Sequence, residues 1–117
     1  MKVYLAKTLI NIPLYGSVYD LTQCKSDDVD SFDISYDEFS KIDESFIDAT
    51  NKLCNAYLDY GDYQYYDYNQ CCAMLEFVNS KSSSDYDYRI ASFYNRLISF
   101  LEYAIENHTG IAIELWG

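Results

Sequence analysis

Hydrophobic and polar positions alternate with a period of two at the start of the chain. In residues 2–10, KVYLAKTLI, Val3, Leu5 and Leu9 share one face while Tyr4, Ala6, Thr8 and Ile10 share the other. The β-branched and aromatic content suits a strand, which Pro13 ends or places at an edge. A second short strand at 17–21 follows Gly16. Residues 22–34, TQCKSDDVDSFDI, carry no helical period and read as an acidic loop. At the far end of the chain, residues 111–116, IAIELW, set Ile111, Ile113 and Leu115 against Ala112, Glu114 and Trp116, the pattern of a terminal strand.

Between these ends the period changes to that of helices. Ser35 and Glu38 form an S-x-x-E capping box, with Ile34 and Phe39 at the two positions of a hydrophobic staple. Asp37 and Glu38 suit the positive end of the helix dipole. Phe39, Ile42, Phe46, Ala49, Leu53, Ala56 and Tyr60 follow at alternating spacings of three and four, and Gly61 offers a left-handed stop. Asp43, Glu44, Asp48 and Asn55 then face away from the core. Asp67 and Gln70 are placed to cap a second helix with Tyr68, Cys71, Cys72, Leu75 and Val78 on its core face. Asn79 and residues 80–84, SKSSS, form a connection. A third helix starting near Ser84 or Asp85 carries Ile90, Phe93, Leu97, Leu101, Ala104 and Ile105 on one stripe, with Tyr94 and Tyr103 as core tyrosines and Gly110 as its stop.

Two apolar strands at opposite ends of the chain need partners for their backbone groups. Pairing them with each other predicts an α+β fold, with about three helices packed on a small sheet that joins the N- and C-terminal strands. An all-α bundle with irregular ends is the alternative. A chain of 117 residues is the length of one domain, 1–117, and long enough to bury a core.

Charge narrows the function. Nineteen acids stand against eight bases, a net of −11. Binding nucleic acid by counterion release, or an anionic membrane surface, is disfavoured for such a chain. No stretch approaches the roughly 20 apolar residues of a transmembrane helix. Lys7 interrupts the first apolar run, and no small-residue cleavage pattern follows it. The expected compartment is the cytoplasm, with Cys24, Cys54, Cys71 and Cys72 as thiols; adjacent cysteines such as Cys71 and Cys72 rarely bridge.

Catalytic motifs do not emerge. The single histidine, His108, reads as a surface residue at a helix C-terminus. Cys71 and Cys72 lack the spacing of a zinc site and read as two small core residues. Asp27, Asp28, Asp30 and Asp33 offer oxygen ligands without the glycine-centred loop of a calcium site. No phosphate-cradling glycine loop is present among the four glycines. The expectation is a protein with no cofactor and no metal that is not an enzyme; a small enzyme of unknown reaction is the third choice.

The charge is regional. Residues 20–67 hold 13 acids and three bases, and residues 57–68, YLDYGDYQYYDY, place six tyrosines among three aspartates. Tyrosine supplies stiff contact area with a hydrogen-bonding tip, and carboxylates steer a basic partner. The expected contact residues are Asp27, Asp28, Asp30, Asp33, Asp37, Glu44, Asp59, Asp62 and Asp67, with Tyr60, Tyr63, Tyr65 and Tyr66 as anchors. The fallback is the outer side of the third helix around Tyr86, Tyr88 and Glu102. In size, composition and the acidic-aromatic interleaving of residues 27–68, the chain resembles the small acidic immunity proteins of bacterial toxin systems, including contact-dependent inhibition. That resemblance implies a non-catalytic cytoplasmic protein that blocks a basic toxin domain, often a nuclease. Phage anti-CRISPR and DNA-mimic inhibitors share the profile and supply the alternative.

Overall fold

The computed structural model describes residues 1–81 and 88–116, apart from the side chains of Asp43, Glu44 and Lys81. Its elements in chain order are β1 (Lys2–Ala6), β2 (Leu14–Tyr15), β3 (Val18–Tyr19), β4 (Val29–Asp33), α1 (Tyr36–Cys54), β5 (Tyr63–Tyr66), α2 (Tyr68–Lys81), α3 (Tyr88–Asn107) and β6 (Ile111–Glu114). The fold is α+β. Four strands form one antiparallel sheet in the order β4-β1-β6-β5, so the two terminal strands are its central pair.

The register explains how the sheet separates two cores. Phe32, Val3, Ile113 and Gln64 form one row across the strands, and Asp30, Leu5, Ile111 and Tyr66 another. The apolar members of these rows face the helices and meet Phe39, Ile42 and Phe46 of α1, Cys71, Met74 and Val78 of α2, and Phe93, Leu97 and Leu101 of α3. The intervening row of Ser31, Tyr4, Ala112 and Tyr65 points the other way. There the chain between β1 and β4 folds over the sheet, burying Ile12 and Leu21 against Tyr4, Ala6 and Tyr65.

Several expected boundaries move. The first strand ends at Ala6, one residue after its pairing with β6 stops at Leu5; the Lys7 N–H still donates to the Asp28 carbonyl at 2.9 Å, in line with the β1–β4 register. Leu9 then packs in the second cluster and not beside Val3 and Leu5. The expected strand at 17–21 is reduced to Val18–Tyr19, in a hairpin with Leu14–Tyr15 around Gly16 at φ 66°. The acidic loop ends in a real strand, β4, whose short alternation buries Val29 on one face and half-buries Phe32 on the other. As an edge strand it keeps Asp30, Ser31 and Asp33 exposed, and charged edges discourage further pairing.

Helix α1 opens as its sequence predicts. Ser35 is the N-cap, the Glu38 N–H donates to its hydroxyl at 3.2 Å, and the Glu38 side chain accepts the Ser35 N–H. The staple pair, Ile34 and Phe39, is buried. The expected stop at Gly61 is incorrect. Asn55 adopts the left-handed conformation at φ 52°, and the Ala56 N–H returns to the Asn51 carbonyl. The buried stripe runs through Phe39, Ile42, Phe46, Thr50 and Cys54, leaving Leu53 exposed. Thr50 is tolerated because its hydroxyl donates to the Phe46 carbonyl at 2.9 Å.

Helix α2 starts with the expected reciprocal cap: the Asp67 and Gln70 side chains each accept the other's backbone N–H at 2.9 Å. Its buried stripe is Cys71, Met74 and Val78; Cys72 is exposed, correcting its placement in the core. Helix α3 buries Phe93, Tyr94, Leu97, Leu101 and Ala104, while Tyr103 is exposed. Asn79, Ser80 and Lys81, expected to begin the connection, instead belong to α2, whose helical period continues through them. The rest of that connection, 82–84, and the expected start at Ser84 or Asp85 lie outside the described residues. α3 ends at left-handed His108, with the Thr109 N–H returning to the Ala104 carbonyl, and not at Gly110. No helix of the described residues is long and apolar enough to cross a membrane.

Candidate functional site

One end of the sheet gathers aromatic and acidic side chains from distant parts of the sequence. Asp33, Lys2, Glu114 and Tyr63 form the terminal row across the four strands. Just beyond it lie the first turn of α1, the turn from Asp59 to Asp62, and Trp116. Trp116 packs edge-on against Phe39, centroids 5.3 Å apart, and tilted against Tyr36 at 6.0 Å. Tyr60 meets Phe39 at 6.1 Å. The result is a ridge in which Tyr36 is 65% exposed, Tyr60 57% and Trp116 37%. Asp33, Asp37, Asp59, Asp62 and Glu114 surround it.

Backbone hydrogen bonds hold the ridge. The Gly61 N–H donates to the Trp116 carbonyl at 2.6 Å, and the Leu115 N–H to the Asp62 carbonyl at 3.0 Å. Asp59 and Asp62 close their own turn: the Asp62 N–H reaches the Asp59 carbonyl, and the Asp59 N–H reaches the Asp62 carboxylate at 3.1 Å. Gly61, at φ 82°, supplies the left-handed residue this turn needs. Two hollows flank the ridge. One, of about 390 Å³, includes Phe39, Asp48, Tyr57, Asp59 and Tyr60 in its wall; the other, of about 440 Å³, is bordered by Lys2, Asp33, Gly61, Glu114 and Trp116.

The expected contact residues separate into distinct places. Asp33, Asp37, Asp59, Asp62 and Tyr60 come together at the ridge. Asp27 and Asp28 precede β4, and Asp67 follows β5, so these three lie at the opposite end of the sheet, with Asp30 towards that end. The length of β5 separates the two groups, about 10 Å at the usual rise per residue. Asp67 is also engaged as the α2 cap. The side chain of Glu44 lies outside the described residues, as does Tyr86 of the fallback surface.

Of the four expected tyrosine anchors, Tyr65 and Tyr66 are buried in the fold, while Tyr63 is tied into it but also borders the second hollow. Tyr66 is fully buried among the helices, where burial holds its hydroxyl well above the usual tyrosine range. Tyr65 is buried on the opposite face against Tyr19, centroids 5.3 Å apart. Tyr63 is half-buried; its hydroxyl donates to the Tyr19 carbonyl at 2.6 Å and accepts the Leu21 N–H at 2.9 Å, which fastens the covering loop. Burial pushes it up to about 12, with the Leu21 N–H opposing. Tyr36, Tyr57 and Trp116 are the exposed aromatics at this end that sequence reasoning missed. Tyr36 had one signal: it falls beside the cap, off the stripe that begins at Phe39.

The cysteines sit apart from the ridge. Burial pushes Cys54 up to about 11 and Cys71 to about 12, so both are protonated thiols at neutral pH. His108 stacks on Tyr68 with ring centroids 4.5 Å apart. Among the described residues, no group of three or more His, Cys, Asp or Glu side chains is arranged to hold a metal ion. Compared with family models, curated proteins and solved structures, the chain matches none.

Proposed function

We propose that this is a non-catalytic binding protein that neutralises a basic protein partner through the aromatic end of its sheet, in the manner of an immunity protein that blocks a nuclease-type toxin. The observation that carries this reading is the exposed ridge of Tyr36, Tyr60 and Trp116 framed by Asp33, Asp37, Asp59 and Asp62. Large aromatics held in place by their neighbours lose little entropy on binding and are the usual anchors of tight interfaces. The carboxylates around them favour a partner rich in Lys and Arg and penalise an acidic one. Asp27, Asp28 and Asp30, at a distance from the ridge, contribute to the long-range field. A basic cleft meeting a chain of net charge −11 has an association rate of up to about 10⁸–10⁹ M⁻¹s⁻¹ at low salt.

The test is co-purification with the product of the neighbouring gene, followed by surface plasmon resonance at several salt concentrations. Trp116→Ala is expected to speed dissociation by about 30-fold, the equivalent of a 2 kcal/mol anchor. Asn substitutions at Asp27, Asp28, Asp30 and Asp33 are expected to slow association and flatten its salt dependence. Unchanged dissociation in Trp116→Ala and Tyr36→Ala would remove the ridge from the contact. Recovery of a CRISPR effector in place of a basic toxin domain would move the protein to the DNA-mimic class.

A further inference from the structure

The hollow of about 390 Å³ lies between α1 and the segment that leaves it. Its apolar lining comes from Phe39, Ile47, Leu58 and Leu115, Tyr57 and Tyr60 present their rings, and Asp48 and Asp59 bring carboxylates. No Lys or Arg among the described residues lines it. Among the described residues, none forms an ion pair with Asp48 or Asp59. Tyr57 is 85% exposed, an unusual position for a large ring that contributes little to the core.

Apolar lining, aromatic faces and carboxylates each select a different part of one kind of group. The apolar surface suits a methylene stem, the rings attract a cation through their quadrupole, and the carboxylates accept its hydrogen bonds. From this complementarity of charge and lining we infer that the hollow is a socket for one arginine side chain of the basic partner. The inference rests on the protein-binding reading above and adds the residue type that enters. Arginine fits better than lysine for two reasons. Its guanidinium is flat and stacks on tyrosine rings, and its forked donors serve two carboxylates at once. It is also less strongly hydrated than an ammonium, so entering a half-apolar hollow costs it less.

The socket is built before anything enters it. The Asn51 side chain clamps Leu58 from both sides, accepting its N–H at 2.9 Å and donating to its carbonyl at 3.1 Å. Asp59 accepts the Tyr60 N–H at 2.8 Å, and the turn beyond is tied to the Trp116 carbonyl. The segment carrying Tyr57, Asp59 and Tyr60 is therefore fixed relative to α1, and little ordering remains to oppose binding.

The experiment uses the whole protein and three small probes: N-acetylarginine amide, N-acetyllysine amide and N-acetylnorleucine amide. Backbone amide shifts of Leu58, Asp59 and Tyr60 are followed by NMR during titration. The arginine probe is expected to give saturable shifts at least fivefold tighter than either of the others. Asp48→Asn and Tyr57→Leu, both at exposed positions, are each expected to weaken that binding at least threefold while the rest of the spectrum is preserved. Equal binding of the norleucine or lysine probe overturns the guanidinium assignment, as does unchanged arginine binding in both variants or an absence of saturable shifts. A partner that needs Trp116 but is indifferent to Asp48→Asn and Tyr57→Leu overturns the socket and leaves the ridge standing. Arginine binding in a protein whose basic partner ignores the ridge does the reverse.

Discussion

Gly110→Ala tests the closest approach between the two strands that carry the C-terminal half of the sheet. Gly110 is buried immediately before β6, and its carbonyl accepts the Ala6 N–H at 3.0 Å. A methyl group there would run into the Tyr66 carbonyl and the Tyr65 hydroxyl. Neither obstacle gives way easily. The first is β5 backbone, and the second belongs to a ring buried against Tyr19. Overpacking costs about 1–3 kcal/mol, and an obstacle made of strand backbone belongs at the upper end, about 3 kcal/mol. For a domain of this size that lowers Tm by roughly 12 °C. Urea unfolding followed by Trp116 fluorescence and by far-ultraviolet circular dichroism is expected to show an earlier midpoint with an unchanged slope. Gly16→Ala is the control, because Gly16 has nothing within 4 Å of the added carbon but sits at φ +66°. Its cost is conformational alone, about 1 kcal/mol. If Gly110→Ala costs less than Gly16→Ala, or stays within about 0.5 kcal/mol of the parent, the reasoning from close approach is wrong.

Ser35→Ala removes one half of the capping box and is expected to cost about 1 kcal/mol in chemical denaturation, with Ser35→Thr close to neutral. Deleting residues 111–117 removes an inner strand, so it is expected to abolish cooperative unfolding; a truncated chain that keeps its melting transition would refute the sheet order. In native thiol labelling Cys72 is expected to react fastest, with Cys54 and Cys71 reacting only on unfolding. Cys54 and Cys71 are raised from 9.0 to about 11 and about 12 by burial. Above pH 9 the unfolded chain therefore loses protons that the folded chain keeps, and stability falls as pH rises. Urea midpoints at pH 8, 9, 10 and 11 check the sign, and a midpoint that rises across this range would contradict it.

Local signals were legible where one short motif decided the outcome. The capping box at Ser35 and the reciprocal pair of Asp67 and Gln70 need only neighbouring residues, so the sequence could announce them. The pairing of the terminal strands was legible because neither had a local partner. Strand β4 was hidden because an edge strand needs only one good apolar contact per face, and Val29 and Phe32 sit among acids. The end of α1 was misplaced because glycine is the commoner left-handed stop, whereas Asn55 takes that role six residues earlier. The candidate site suffered from a similar ambiguity. Tyrosine suits both a buried strand and an exposed contact, and only the register shows that Tyr65 and Tyr66 face opposite cores. The ridge itself joins residues near 36, 60 and 116, a juxtaposition that no window of sequence contains.

That joining of distant segments has a kinetic side. β6 is synthesised after every other strand and helix described, yet it is the strand on which β1 and β5 both depend. Until it is placed, β5 has no strand partner and β1 has only β4. Contacts between residues 2–5 and 111–114 are about as non-local as the chain permits, and closing so long a loop slows folding. The ridge inherits this order of events, because Trp116 and the carbonyl that fixes Gly61 arrive with the last strand. A partly made or partly folded chain would present its acids to a basic partner without its aromatic grip. On the proposed binding reading, it would be drawn to such a partner readily and released from it just as readily, with lasting attachment reserved for the chain whose ridge is assembled.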